Sequence, residues 1–483
     1  MMPDEGVLDG QQCSDIESPP LQTCLQDITK LGKIMDELQE IVDASRIPSS
    51  ILFSPPDPGE EYTGKRADSC NLSTADILRA AVAKFTSFPM DSHVFCKYMN
   101  SEEVRKNVHC VELLLAAVDM AETGKLMEAL AVLDRNKITH NSGNPIEVTA
   151  FYFSGALRDR IHQQTLPTQK GSDSFLNCVM NYLQETTIDY APPILAQHQM
   201  VPFCQIQQIC SGKIIEEHVE TASRIHVIDL AIRCGLQWVV LMQALAGRHK
   251  HPVKLLKITA IGNLSEESIE NTGERLELFA RSLNLPFKFK MIMSSEIDVL
   301  NEGLFGKEEG ESVIVCAQFV LRTWIPWPDK LDALMAMIKR INPCVMVVNE
   351  VNWDFSSLSL FSRFKEALFY FGSYFDCLND CMDREDNNRM IFELMFLGQA
   401  INIIMQDGEE RTYTNINMAA WRVQFAQFGM VEMDLSEDCL YQADLVKNNF
   451  KCGSSCTIGM DGKSLIVGWK GVPMHLVSAW RFQ

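Results

Sequence analysis

The sequence predicts an α/β fold: a parallel sheet at the core, a C-terminal antiparallel hairpin closing it, and an α-helical cap in front. Three observations carry this reading. After Ser223, short and nearly continuous apolar runs alternate with longer helical stretches, as in parallel strands covered on both faces. From Leu72 to about Val219 the pattern is helical. Near the end, Asp461-Gly462 sets a hairpin turn between Thr457-Ile458 and Leu465 to Trp469.

Residues 1 to 68 form an acidic arm, with 13 acids against 3 bases before Lys65 and a proline-rich patch from Ser54 to Pro58. Within it, Leu21, Leu25, Ile28, Leu31, Met35, Leu38 and Val42 recur at steps of three and four, one apolar stripe along a helix. That stripe packs either on its own domain or in another protein's groove.

Residues 69 to 222 form the cap. Val111, Leu114, Leu115 and Val118 share one face, Thr123-Gly124 breaks the pattern, and Leu126, Leu130 and Leu133 resume it, which is a helical hairpin. Its leucine face is either core or a surface for pairing. Tyr190-Ala191-Pro192-Pro193 punctuates this half.

Residues 223 to 483 form the core. Expected strands are Ile225 to Leu230, Leu255 to Ile261, Phe287 to Met293, Val313 to Ala317 and Val345 to Val348. Helices are expected near Gln237 to Ala246, Ser268 to Leu283, Asp329 to Ile341 and Leu358 to Tyr370, and a last extended stretch runs from His475 to Trp480. Right-handed crossovers then give a Rossmann-like sheet, and the closing hairpin gives the outline of methyltransferases that use S-adenosylmethionine.

Composition excludes several classes. A chain of 483 residues with 46% hydrophobic and 22% charged residues is a folded protein, not a mainly disordered one. Its net charge of −20 repels a polyanion, so wrapping of nucleic acid by the whole surface is excluded. The 16 cysteines lack the dense spacing of a disulfide framework, which points to a reducing compartment. Met1 to Gly10 carries acids and no basic residue, unlike a secretory signal or a transit peptide. The most apolar stretch, Met390 to Met405, is interrupted by Glu393, Gln399 and Asn402 and is too short to span a bilayer, so no membrane association is expected.

The most enzyme-like element is Ile225-His226-Val227-Ile228-Asp229, a strand that delivers an acid to its carboxyl end. An adenosyl group there needs glycines so that the backbone can approach, whereas Ala231, Ile232 and Arg233 precede the lone Gly235. The second strand ends Gly262-Asn263 with no carboxylate for a ribose. No cofactor is expected; Asp229 reads as a turn-bonding acid and His226 as a satisfied histidine. Gly462-Lys463-Ser464 has Thr457 where a phosphate loop needs its first glycine, and a strand follows it. Cys377/Cys381 and Cys452/Cys456 lack a second pair of metal spacing, so no metal is expected, and the second pair is the one to watch for redox chemistry. Arg224, Arg233, Arg248, Lys250, Lys254 and Lys257 make a locally basic stretch that reads as surface decoration, so DNA contact is expected to be indirect.

These residues also resemble a known family. From Leu72 to Phe482 the chain is similar to the plant GRAS proteins. Ile225 to Asp229 resembles the family's V-H-I-I-D element, followed by Gly235-Leu236-Gln237-Trp238; Thr272-Gly273-Glu274-Arg275-Leu276 resembles its next helix. Arg363-Phe364-Lys365-Glu366-Ala367-Leu368 with Phe375-Asp376 matches a further block, and Gly468-Trp469-Lys470 with Ser478-Ala479-Trp480 matches the closing one. The flanking leucine-rich regions correspond to Val111 to Leu133 and roughly Glu267 to Leu300. The family's arginine-valine-glutamate-arginine run is replaced by Glu410-Arg411-Thr412-Tyr413, and its R-E dipeptide is not evident near Met390 to Glu393. Ile232-Arg233-x-Gly235 and Cys452 to Cys456 resemble the DELLA branch of gibberellin-response repressors, but Gln39-Glu40 breaks the motif begun by Asp36-Glu37-Leu38.

The resemblance implies a non-enzymatic nuclear transcription regulator in plant development or hormone signalling. Such a protein acts through DNA-bound transcription factors and pairs with related proteins through leucine-rich faces, with direct promoter binding described for some members. It marks His226, Asp229, Gly235, Gln237, Trp238, Leu114, Leu115, Arg363, Phe364, Trp469, Ser478, Ala479 and Trp480 as motif and interaction residues. The competing reading is a methyltransferase using S-adenosylmethionine at the Asp229 turn.

Overall fold

The computed structural model describes residues 72–86, 101–136, 144–165, 191–262, 266–293 and 302–483. The acidic arm with its apolar stripe, Tyr190, Asn263 and the end of the second leucine-rich region lie outside the described residues.

Among the described residues nine strands form one sheet in the order β3-β2-β1-β4-β5-β9-β8-β7, with β6 also paired to β9. The first five are β1 (Arg224–Asp229), β2 (Leu255–Gly262), β3 (Phe287–Met293), β4 (Ser312–Gln318) and β5 (Val345–Val351). They run parallel: Val227 stands between Ile258 and Ile314, and Cys316 stands opposite Val347. The remaining strands, β6 (Met430–Met433), β7 (Cys456–Asp461), β8 (Ser464–Trp469) and β9 (Val472–Phe482), are antiparallel. β9 closes the parallel part by pairing with β5, Ser478 opposite Val348. The expected hairpin turn is present, with Gly462 at φ 60°, and a second tight turn follows at Lys470 (φ 45°) and Gly471 (φ 82°).

Alternate side chains of each central strand serve opposite faces. Val313, Val315, Met346, Val348, Leu476 and Trp480 join one apolar layer with helices α9 (Pro328–Ile341) and α12 (Met418–Gln427). Helix α6 (Pro202–His218) packs on β5 and β9 and on α7 (Leu236–Ala246), while α8 (Glu266–Ser282) packs on β3.

The helical layer is built from α1 (Thr74–Phe85), α2 (Glu102–Glu122), α3 (Leu126–Arg135), α4 (Pro145–Thr165) and α5 (Ala191–Met200). Helices α10 (Leu360–Cys381) and α11 (Asn387–Met405) come from the later half of the chain yet pack on α4. α10 therefore runs past the expected end near Tyr370. Phe371, Tyr374, Phe375 and Leu378 continue its buried face at helical spacing, and Ser359 caps its start while the Glu122 carboxylate accepts from Leu360 N–H at 2.8 Å. The apolar stretch at Met390 to Met405 is α11, a helix buried against protein. Among the described residues no helix is long and apolar enough to cross a membrane. Helices α12 and α13 (Glu437–Asn449) and strand β6 had no counterpart in the sequence reading.

Trp480 is buried between strand and helix, its ring centroid 4.5 Å from that of Phe425. Replacing it with alanine removes this packing and leaves a cavity. The expected cost is about 3 to 5 kcal/mol, read as a lower urea midpoint with an unchanged slope.

Candidate functional site

The turn after β1 is where an open α/β sheet offers a ligand its place. Here the chain fills that place itself. The Asp229 carboxylate accepts from Ala231 N–H at 3.0 Å with one oxygen and from Gln237 Nε2 and Trp238 Nε1, both at 2.9 Å, with the other. Ile232 turns inward to full burial, and its N–H donates to Ile261 O at 2.9 Å. Gly235 then sits at φ 75°, where a Cβ would come within 2.9 Å of Thr272 Cγ2, so only glycine fits between this turn and α8. Thr272 Oγ1 donates back to Arg233 O at 3.1 Å.

Gly273 lets the same helix approach β3; a Cβ there would lie 2.4 Å from the Phe289 ring. An adenosyl cofactor does not fit this turn: the carboxylate is occupied and Ile232 stands where bare backbone is needed.

His226 is buried in mid-strand. Its Nδ1 lies 3.1 Å from Glu311 Oε2 and its Nε2 lies 2.8 Å from Thr259 Oγ1. Burial, then the Lys257 ammonium, lowers its pKa to about 4, outweighing Glu311. Burial raises Asp229 to about 6 against its three donors, and raises Glu350, at the end of β5, to about 7. Burial likewise lowers His198 to about 4 and His475 to about 3.

The other motif residues are equally internal. Arg363 is buried and donates to Ile403 O and Leu358 O, each at 2.9 Å, and to Asp407; Arg160 joins it on Met405 O at 2.9 Å and on Asp407. Two guanidiniums thus satisfy the carbonyl end of α11. Phe364 packs edge-on against Phe153 at 5.1 Å. Trp469 donates to Asp376 at 3.0 Å, Trp480 donates to Ser478 Oγ at 2.9 Å, and Ala479 is buried beside them.

The structure decides between the readings left open and corrects others. Leu114 and Leu115 are 0% exposed, on the face of α2 that packs against α1, α4 and α10, the core alternative for the leucine face. All thirteen motif residues are buried. The basic stretch is not one surface: Lys257 is buried and donates to Gly306 O, Arg248 is held by Val219 O at 2.8 Å and Ala222 O at 2.6 Å, and Arg224 pairs with Glu308 at 2.5 Å.

The thiols differ too. The close pair is Cys381 with Cys452, Sγ to Sγ 3.0 Å, with Cys377 at 3.9 Å from Cys381, because α10 brings one sequence pair against the other. Burial raises the Cys377 thiol against its bond to Cys381; the bond to Cys377, against that to Cys452, and then burial hold Cys381 above the usual range, and the bond to Cys381 with burial does the same for Cys452. Among the described residues no group of three or more His, Cys, Asp or Glu side chains is arranged to hold a metal.

Sequence reading passed over Arg322 and Glu350, and took His475 only as the start of a strand. All three are buried near the carboxyl ends of β4 and β5, and the strand ends themselves were the available signal. In place of the missing R-E dipeptide, Arg389 and Glu393 form a buried pair at 2.8 Å.

A parallel sheet of order 3-2-1-4-5, closed by antiparallel strands and sealed at its first turn, defines a Rossmann-like domain with a helical cap. Residues 110–481 match the model of the GRAS domain family, and the chain belongs to it. The family's members are plant regulators, and the role of this chain is regulatory at that level. The chain is 26% identical to DELLA protein RGL3 of Arabidopsis thaliana, across 80% of this chain and 73% of that protein. It is 26% identical to DELLA protein RGL1 of the same plant, across 93% and 81%. The solved structure of SCL7 from Oryza sativa superposes with a TM-score of 0.64 at 24% identity, covering 77% of this chain and 99% of that one, and shares the fold.

Two predictions follow from this geometry. Asp229→Ala orphans the Gln237 and Trp238 donors and the Ala231 amide; stability should fall by about 3 kcal/mol, measured by urea denaturation, and Asp229→Asn should cost less because it keeps one acceptor.

The second concerns pH. His198, His226 and His475 have folded pKa values below the ordinary one of about 6.5, so the stability tied to their neutral forms is present above that pH and lost as pH falls toward 4. Asp229 and Glu350 act oppositely: their raised values make stability fall as pH rises through about 6 and about 7. Three groups against two leave a net loss of about 1 kcal/mol per pH unit on acidification from 6 to 4.5, which denaturant titrations at fixed pH will read.

Proposed function

We propose that this protein is a non-catalytic regulator of transcription in the plant nucleus, acting by binding transcription factors that hold the DNA. The carrying observation is the sealed turn after β1: Asp229, Gln237 and Trp238 bond one another where a methyltransferase would bind its cofactor. Family membership supports the regulatory half of the reading. A net charge of −20 supports contact with DNA through partners.

In this reading residues 1 to 68 are the partner-selecting arm, residues 69 to 483 are the GRAS domain, and any pairing with related proteins uses surfaces other than Leu114 and Leu115. Development or hormone signalling, with the gibberellin response as the nearest instance, is the setting that the DELLA relatives favour.

The test is affinity capture from plant nuclei with the whole chain and with a chain lacking residues 1 to 68. DNA-binding transcription factors should be recovered with the first and reduced with the second. Recovery of none with either, together with a raised melting temperature on adding S-adenosylmethionine, would move the assignment to the methyltransferase reading.

A further inference from the structure

Two arginines leave the carboxyl ends of neighbouring parallel strands. Arg233 is on the turn after β1, exposed where its neighbour Ile232 is buried. Arg322 is in the 3-10 turn Leu321–Trp324 after β4. Phe319, at φ 54° with its N–H on Asn349 O at 2.8 Å, bends the chain there and sets its own ring 5.3 Å from the Arg322 guanidinium carbon. Strands β1 and β4 are paired, Asp229 opposite Cys316, so both residues follow strands that end on the same side of the sheet.

Neither guanidinium hydrogen-bonds or ion-pairs with any described residue, and Arg322 Nε is buried without a partner. This is unusual for Arg322, which is only 6% exposed. Its nearest carboxyl is an incomplete counter-charge: Glu350 accepts from the Arg322 backbone N–H at 3.3 Å, its other oxygen has no partner, and burial raises its pKa to about 7. The two cations also feel each other: the protein packed around the accessible Arg233 side chain, then the Arg322 charge, lower the Arg233 pKa, with Cys204 and Tyr413 close by. In a chain with 20 surplus acids, no described carboxylate is bonded to either guanidinium. Such a pair is costly unless an anion completes it.

We propose that Arg233 and Arg322 form a binding site for a small organic anion, held through its carboxylate or phosphate group at the carboxyl end of β1 and β4. A nucleic-acid backbone is the wrong shape for it, because Arg322, a residue only 6% exposed, is out of a polymer's reach. The site borders the sealed Asp229 turn, to which Arg233 belongs, and is independent of the transcription-factor reading. It would give the regulator a small-molecule input.

The experiment uses the whole purified protein with inorganic phosphate and with citrate as probes, at constant ionic strength set with chloride, reading melting temperature and phosphorus NMR line width. A saturable rise of several degrees with at least one probe is expected, phosphate alone pointing to a phosphate ester and citrate alone to a carboxylate. Arg233→Gln and Arg322→Gln should each weaken binding by about tenfold or more, and without ligand Arg233→Gln should melt at or above the parent, having lost a repulsion. An unchanged probe response in Arg233→Gln, whose exposed site tolerates the change, would overturn the proposal. So would a response that tracks ionic strength alone, no response to either probe, or Arg322-dependent retention of a DNA fragment in place of the small anions.

Discussion

The Asp229 carboxylate is the interaction on which the rest of this domain depends. It is fully buried at the end of the central strand, and ionised it would be costly there without its three donors. Those donors fix the start of α7, since Gln237 and Trp238 lie in its first turn. The same turn presents Gly235 to Thr272, and this sets how closely α8 may lie. One carboxylate thus fixes the first crossover and, through it, the packing of the second.

The family's sequence blocks have a shared logic in this light. Each block supplies a polar group that satisfies a buried group in a distant one. Arg363 reaches the end of α11, Trp469 reaches Asp376, and Ser478 Oγ lies 3.4 Å from Val348 O across the sheet. Glu122 does the same for the start of α10, tying the leucine-rich hairpin to the later helices. Removing one member strands the other, which costs more than the bond itself contributes. A motif can therefore look like a site and be a joint.

Much of the fold was legible because its signals are local. The five parallel strands are continuous apolar runs, and Asp461-Gly462 marks its own turn. The helical hairpin was equally plain from its leucines and the Thr123-Gly124 break. The lengths of α10 and α11 were not, because their burial comes from helices contributed by the first half of the chain. At the site, the crowding of the turn was legible, since side-chain bulk at Ile232 is a property of the sequence itself. The meeting of Cys381 with Cys452 was illegible, because it depends on which distant elements touch.

That division also says where function must lie. A domain whose named motifs are internal has committed them to holding one shape, so recognition falls to groups the motifs leave over. In the proposed reading, the acidic residues 1 to 68 are such groups. So are the two arginines at the sheet's end, and they differ from the buried arginines of the cap in one respect. Arg160 and Arg363 have backbone carbonyls and Asp407 to bond, whereas Arg233 and Arg322 have none. The two sets of arginines thus divide the charge of the domain: one closes the end of a helix, and the other stands at the carboxyl end of the sheet with no bonded counter-group.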